Sequence, residues 1–202
     1  MATTLNQKVL TEALWQAEGA GLWAKRAVLV AAGIAALTVA AQIRLPMWPV
    51  PATMQTFVVL SIGAAYGTRL GLATLLGYLL IGAFGFDVFT SSSATNSGIA
   101  YMMGATGGYL LGFAVAGGVM GALARRGWDQ SVMKMALAML IGNIVIYAFG
   151  LPWMAWLFLE TKGAAWVIQW GLTNFVVFDL LKLALAALMF PTLWRMVGKA
   201  RV

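Results

Sequence analysis

Apolar residues in this chain gather in long runs separated by short polar segments. The runs approach the ~20 residues a helix needs to cross a hydrocarbon core. Six spans follow by hydropathy, over residues 27–43, 54–66, 70–86, 106–124, 132–149 and 164–190. The second is short for an upright crossing, so it must be tilted, broken or sheltered by protein. Ahead of the spans, Leu5, Val9, Leu10, Ala13, Leu14 and Ala17 recur at helical spacing, and Thr4 with Gln7 fits a capping box. This predicts a short interfacial helix with Trp15 and Trp23 at headgroup depth. The organisation is an N-terminal segment over residues 1–25 and a single transmembrane domain over 26–202.

Composition agrees with that pattern. Of 202 residues, 62% are hydrophobic and 9% charged, where a soluble domain carries about 25%. The fold class is therefore an all-α integral membrane protein with six transmembrane helices. The net charge of +7 does not point to nucleic acid, because the cations sit in short segments between spans. One side of the predicted bundle collects Lys8, Lys25, Arg26, Arg69, Arg125, Arg126, Lys134, Arg195, Lys199 and Arg201. The other side has only Arg44 and Lys162. The rich side is cytoplasmic by the positive-inside rule, which puts both termini inside. Three loops then face outward, over residues 44–53, 87–105 and 151–163. Histidine and cysteine are both absent, which removes imidazole bases, thiol nucleophiles and the usual zinc or haem ligands, so no metal is expected.

Asp179 and Lys182 lie inside the last apolar run, each at a cost of roughly +2.5 to +3.5 kcal/mol at a helix centre. Three residues apart, they are neighbours on one helical face and offset part of each other's cost. Such a pair faces a protein interior or an aqueous cavity and marks a substrate or ion site. Asp179 is expected about halfway down the sixth span. The outer loops fit a pocket above it. Residues 44–51 pack Pro46, Pro49 and Pro51 around Trp48, a stiff segment suited to lie over a cavity. Residues 90–97 are dense in hydroxyls and amides, among them Asn96, just before a glycine-rich helix start. There Thr106 is placed to cap, and the free N–H groups attract a carboxylate. Gly104, Gly108, Gly112 and Ala116 recur every fourth residue, as close helix packing requires. Ala32, Ala36 and Ala40 form a second small-residue stripe, read from the residues alone as internal packing.

Three motifs occur in order: Pro49-Val50-Pro51-Ala52-Thr53-Met54-Gln55-Thr56, then the stretch from Gly104 through Tyr109 to Phe113, then Asp179-Leu180-Leu181-Lys182. Together, over residues 46–187, they resemble the BioY proteins, substrate-capture subunits of energy-coupling-factor vitamin transporters. The resemblance implies a six-helix fold that holds biotin near the outer face. It also implies a partner module of one transmembrane coupling (T) protein and ATP-hydrolysing subunits, docked through small residues of the first helix, here Ala32, Ala36 and Ala40. The chain departs from the family pattern at Ala105, usually proline, and at Val177-Phe178, often Pro-Gly. Without that break the sixth helix is expected to run straighter.

The residues suit such a ligand. Asp179 can accept from ureido N–H groups and Lys182 can donate to the ureido carbonyl. Trp48, Tyr109 and Phe175 are candidate walls for the bicyclic ring. Asn96 and Thr106 are candidates for the carboxylate tail, and Gln55 with Thr53 either lines the pocket or braces the loop. The lipid bilayer is the remaining partner, with a homo-oligomer left open. No G-x-x-x-x-G-K-[ST] loop occurs in the sequence, so no cofactor is expected on this chain and ATP would be used by partner subunits.

Enzyme readings fare poorly. An aspartyl protease needs two apposed carboxylates, and Asp87, the partner considered for Asp179, is expected at the outer edge. A rhomboid-type serine protease lacks its histidine. The stronger rival is a self-contained ion- or proton-coupled secondary carrier with Asp179 as proton relay. A third reading makes Asp179–Lys182 a structural pair that fixes helix register.

Overall fold

A computed structural model describes residues 7–93 and 96–199 of the chain. Thr4, Leu5, Thr95 and Arg201 lie outside the described residues. The described elements are α1 (Leu10–Leu14), α2 (Gly19–Gln42), a two-residue-per-strand hairpin of β1 (Arg44–Leu45) and β2 (Ala52–Thr53), and α3 (Gln55–Ala83). They continue with α4 (Gly98–Met102), α5 (Gly107–Ala124), α6 (Val132–Lys162), α7 (Ala164–Gly171) and α8 (Val176–Lys199). Single 3-10 turns, Trp128–Gln130 and Thr173–Phe175, precede α6 and α8.

Among the described residues five helical stretches are long and apolar enough to cross a membrane, yet the chain crosses six times. The reason is Gly67, at φ 76° and ψ 175° inside α3. Only glycine adopts that conformation without strain, and here it reverses the helix into a hairpin. A Cβ on Gly71 would lie 3.4 Å from the Gly63 Cα, and Gln55 reaches Tyr78 across 2.6 Å. In a straight helix residues 55 and 78 would stand about 35 Å apart. The predicted second and third spans are thus the two arms of α3, residues 55–66 and 68–83. The short arm is sheltered because α5 packs on both: a Cβ on Gly63 would meet the Gly117 carbonyl oxygen at 2.4 Å, and one on Gly121 the Thr68 nitrogen at 2.3 Å.

The regularly spaced glycines of α5 serve packing against α6. A Cβ on Gly108 would approach the Phe149 carbonyl at 2.5 Å, and one on Gly112 the Ile146 carbonyl at 2.9 Å. Such close approach gives helices in lipid their dispersion contacts.

Two boundaries differ from expectation. Helix α6 runs on to Lys162, so the outer segment 151–163 is helical rather than a loop. At about 1.5 Å per residue, α6 exceeds a ~30 Å hydrocarbon core and projects beyond it. The last apolar run is not one straight helix: Leu172, at φ −137° and ψ −62°, separates α7 from α8. Gly171, Thr173 and Asn174 are poor helix formers, so the break falls there rather than at Val177-Phe178.

The N-terminal segment is tied to the bundle and not to lipid alone. Val9 and Leu10 are buried, the Thr11 hydroxyl donates to the Ala65 carbonyl at 2.9 Å, and Glu12 forms an ion pair with Arg125. Glu12 also accepts from the Val9 N–H, capping α1 at Val9. Gln7 donates its N–H to the Arg125 carbonyl. Helix α2 begins at Gly19, ahead of the expected boundary at residue 26.

Candidate functional site

The break at Leu172 sets the position of the buried pair. It starts a fresh helix at Val176, so Asp179 falls in the first turn of α8, where the helix dipole favours a carboxylate. Helical spacing then turns Asp179, Lys182, Ala186 and Phe190 inward, while Val177, Leu180, Leu181 and Leu188 stay on the outer surface. Asp179 is 7% exposed and Lys182 8%. The ammonium lies 3.0 Å from Asp179 Oδ1 and donates to the Thr56 hydroxyl at 2.8 Å. The Tyr147 hydroxyl donates to Asp179 Oδ2. Each charge therefore meets its opposite and at least one neutral group, which is what buried ions require.

This cluster forms one wall of a slender chamber of about 50 Å³ in the outer half of the bundle. Phe89, Tyr109, Leu110, Phe113, Ile146 and Phe175 give it apolar and aromatic surface, and Val50, Pro51, Thr53, Gln55, Thr90, Tyr101, Thr106 and Asn143 complete the lining. A crevice of about 160 Å³ between α6 and α8 reaches Tyr147 and Asp179 from the flank.

The chamber brings together Asp179, Lys182, Tyr109, Thr106, Gln55 and Phe175 of the residues singled out by sequence. Tyr109 packs its ring on Gly150 and donates to the Gly171 carbonyl at 2.7 Å, a group left free by the break at Leu172. Gln55 is braced: it donates to the Tyr78 hydroxyl, which donates onward to the Val88 carbonyl at 2.8 Å, and its own N–H donates to the Thr53 hydroxyl.

Trp48 does not line the chamber. It is 63% exposed and lies edge-on to Trp166 and Phe158, with ring centroids 5.7 and 6.3 Å away. The proline-rich hairpin carries it outward onto the projecting end of α6 and onto α7. Asn96 is also outside the lining: it is exposed and pairs its backbone with Ser93 in a short turn. Thr106 makes no side-chain cap to α5. On α2, Ala32 and Ala36 are exposed, whereas Ala40 turns into the bundle and is buried.

Sequence reading missed Thr56, Asn143 and Tyr147. Thr56 ends a quoted motif but lacked a partner until α8 came beside it. Asn143 and Tyr147 are polar residues four apart within an apolar span, which puts them on one face. That is the same signal that revealed Asp179 and Lys182. Asn143 is buried on the chamber wall, and among the described residues its amide has no hydrogen-bond partner.

A polytopic helical bundle enclosing a small, largely apolar chamber with one charged wall is the architecture of a membrane solute-binding protein. A sequence model of the BioY family matches residues 7–199, and the chain belongs to that family. Among its relatives are a probable biotin transporter of Pyrococcus horikoshii, 36% identical and covering 82% of this chain and 93% of the relative, and a biotin transporter of Thermotoga maritima, 35% identical and covering 79% and 91%. The fold resembles a crystal structure of the S-component for biotin from an ECF-type ABC transporter, with a TM-score of 0.71 at 18% identity, covering 89% of this chain and 95% of that one. These relatives are transporters, and the chain is a multi-pass membrane protein of a transporter family rather than an enzyme.

Proposed function

We propose that the chain captures biotin from the outer face of the cell membrane and carries it inward as the substrate-specific subunit of an energy-coupling-factor transporter. The observation that carries this reading is the Asp179–Lys182 pair on the wall of a chamber, held by Thr56 and Tyr147. A ureido head has two N–H donors for Asp179 and a carbonyl for Lys182, so the salt-bridged couple can grip a neutral urea on both sides. The aromatic wall suits the thioether ring. Asn143, with an uncommitted buried amide, is a further contact. For the carboxylate tail, Arg44 is the favoured partner, since its guanidinium donates to Thr90 on the chamber lining at 3.5 Å.

Ala32 and Ala36, exposed on α2, offer small-residue contacts for a transmembrane coupling protein. ATP would be hydrolysed by further subunits, and this chain binds no cofactor.

Binding of labelled biotin to the purified protein tests the site. Asp179→Asn should weaken it roughly 10- to 100-fold, as expected for losing charge-assisted hydrogen bonds of about 1.5–3 kcal/mol. Unchanged binding in folded Asp179→Asn and Lys182→Ala proteins would overturn the assignment. Uptake that collapses with a proton ionophore while ATP is maintained would favour a self-contained carrier instead.

A further inference from the structure

A second groove lies at the cytoplasmic end, away from the chamber and independent of its reading. Helix α2 touches the bundle along one edge only, with Gly33 against Thr74 and Ile34 against Gly77. Beside that seam, between α2 and the second arm of α3, opens a groove of about 1090 Å³. Its lower end is lined by Lys25, Arg26, Arg69 and Arg125 against a single carboxylate, Glu12. Glu12 is already bound by Arg125 at 2.5 Å. Lys25 is buried, donating to the carbonyls of Thr11 and Trp15. Arg26 lies over the Trp23 ring, 5.2 Å from its centroid, and Arg69 is exposed. Among the described residues neither of these two arginines has a carboxylate partner.

The upper part of the groove is apolar, lined by Val30, Ala31, Ile34, Ala73 and Ile81. From Arg69 to Ile81 is about 18 Å at 1.5 Å per residue, close to one ~15 Å leaflet of hydrocarbon. Ala31 and Ala35 face this groove, whereas Ala32 and Ala36 do not line it. A soluble anion would have no use for the apolar wall, and a neutral lipid none for the guanidiniums.

We propose that this groove binds one anionic phospholipid, its phosphate held by Arg26 and Arg69 beside Trp23 and one acyl chain lying along α2 and α3. Basic pockets between transmembrane helices on the cytoplasmic side recognise such headgroups.

Native mass spectrometry of the purified full chain, given equal phosphatidylglycerol and phosphatidylcholine with matched chains, tests it. Selective retention of phosphatidylglycerol is expected, falling roughly fivefold for each of Arg26→Gln and Arg69→Gln. Ala73→Trp, which fills the apolar part with every arginine in place, should also expel the lipid. Circular dichroism melts report whether each variant is folded. Equal retention of the two lipids by the unmodified protein would overturn the proposal, as would full retention in both arginine variants. Displacement of the lipid by millimolar glycerol phosphate would assign the site to a free anion instead.

Discussion

Among the described residues two carboxylates are buried, one near each face, and they differ in what surrounds them. Asp179 has a cation, a tyrosine hydroxyl and a threonine hydroxyl within reach and borders a chamber. Asp129, in the turn between α5 and α6, is 0% exposed. One of its oxygens accepts from the Trp194 indole N–H at 2.6 Å, and the other has no partner among the described residues. Burial pushes its carboxyl up from the ordinary 3.8 to about 6, against the opposing pull of the Trp194 hydrogen bond. A short distance away, Arg125 overcomes the effect of burial on Glu12 and holds that carboxyl below its usual 4.5. A buried charge therefore does not define a site. The pair that borders open space can exchange partners with a solute, whereas Asp129 is closed in by packing and fastens α8 to the α5–α6 turn.

The largest expected effect comes from breaking the outer pair on one side only. Lys182→Met leaves Asp179 uncompensated and should destabilise the fold by about 3–5 kcal/mol. Replacing both, Asp179→Leu with Lys182→Met, should restore most of the thermal stability while leaving no biotin binding. If the double variant stays as unstable as the single one, the pair is a fold-fixing element and the contrast with Asp129 fails. Tyr147→Phe removes one donor to Asp179 and should weaken biotin binding about tenfold, with a small change in melting, on the usual scale for a hydrogen bond to a charged group. Isothermal titration beside a melting curve separates the two readouts.

Asp129→Asn is expected to have the smallest effect on binding, namely none. Its signature is in pH. The folded value lies above the unfolded one, so between about pH 4 and pH 6 the native state holds more protons than the unfolded chain. Stability from this group therefore falls as pH rises through that window and stays at its lower level above it. Melting temperatures from pH 4 to 7 should show the slope in the parent and lose it in Asp129→Asn. A slope that persists in the variant would assign it to other carboxylates.

Much of this was legible in the chain because membrane proteins carry strong one-dimensional signals. The expense of ionisable groups in hydrocarbon picked out Asp179 and Lys182, and the four-residue spacing of Gly108 and Gly112 announced a close helix contact. Trp48 was misplaced because an aromatic residue in a stiff loop carries no sign of which way the loop folds. Here the β1–β2 pairing holds the loop that carries it onto α6 and α7. Thr56 and Tyr147 were missed because a hydroxyl in an apolar span costs little by itself, and only its neighbours reveal a purpose.

Sequence alone determined that the chain crosses the bilayer, which end carries the cations, and which two charges need each other. These follow from transfer free energies and helical periodicity, which act on residues in order along the chain. Tertiary structure decided that Gly67 packs the two predicted crossings of α3 against each other as a hairpin, that Leu172 places Asp179 at a helix start, and that α3, α6 and α8 bring Thr56 and Tyr147 to the same carboxylate. Those outcomes depend on contacts between residues as much as 126 positions apart, where packing geometry rather than local preference selects the partners.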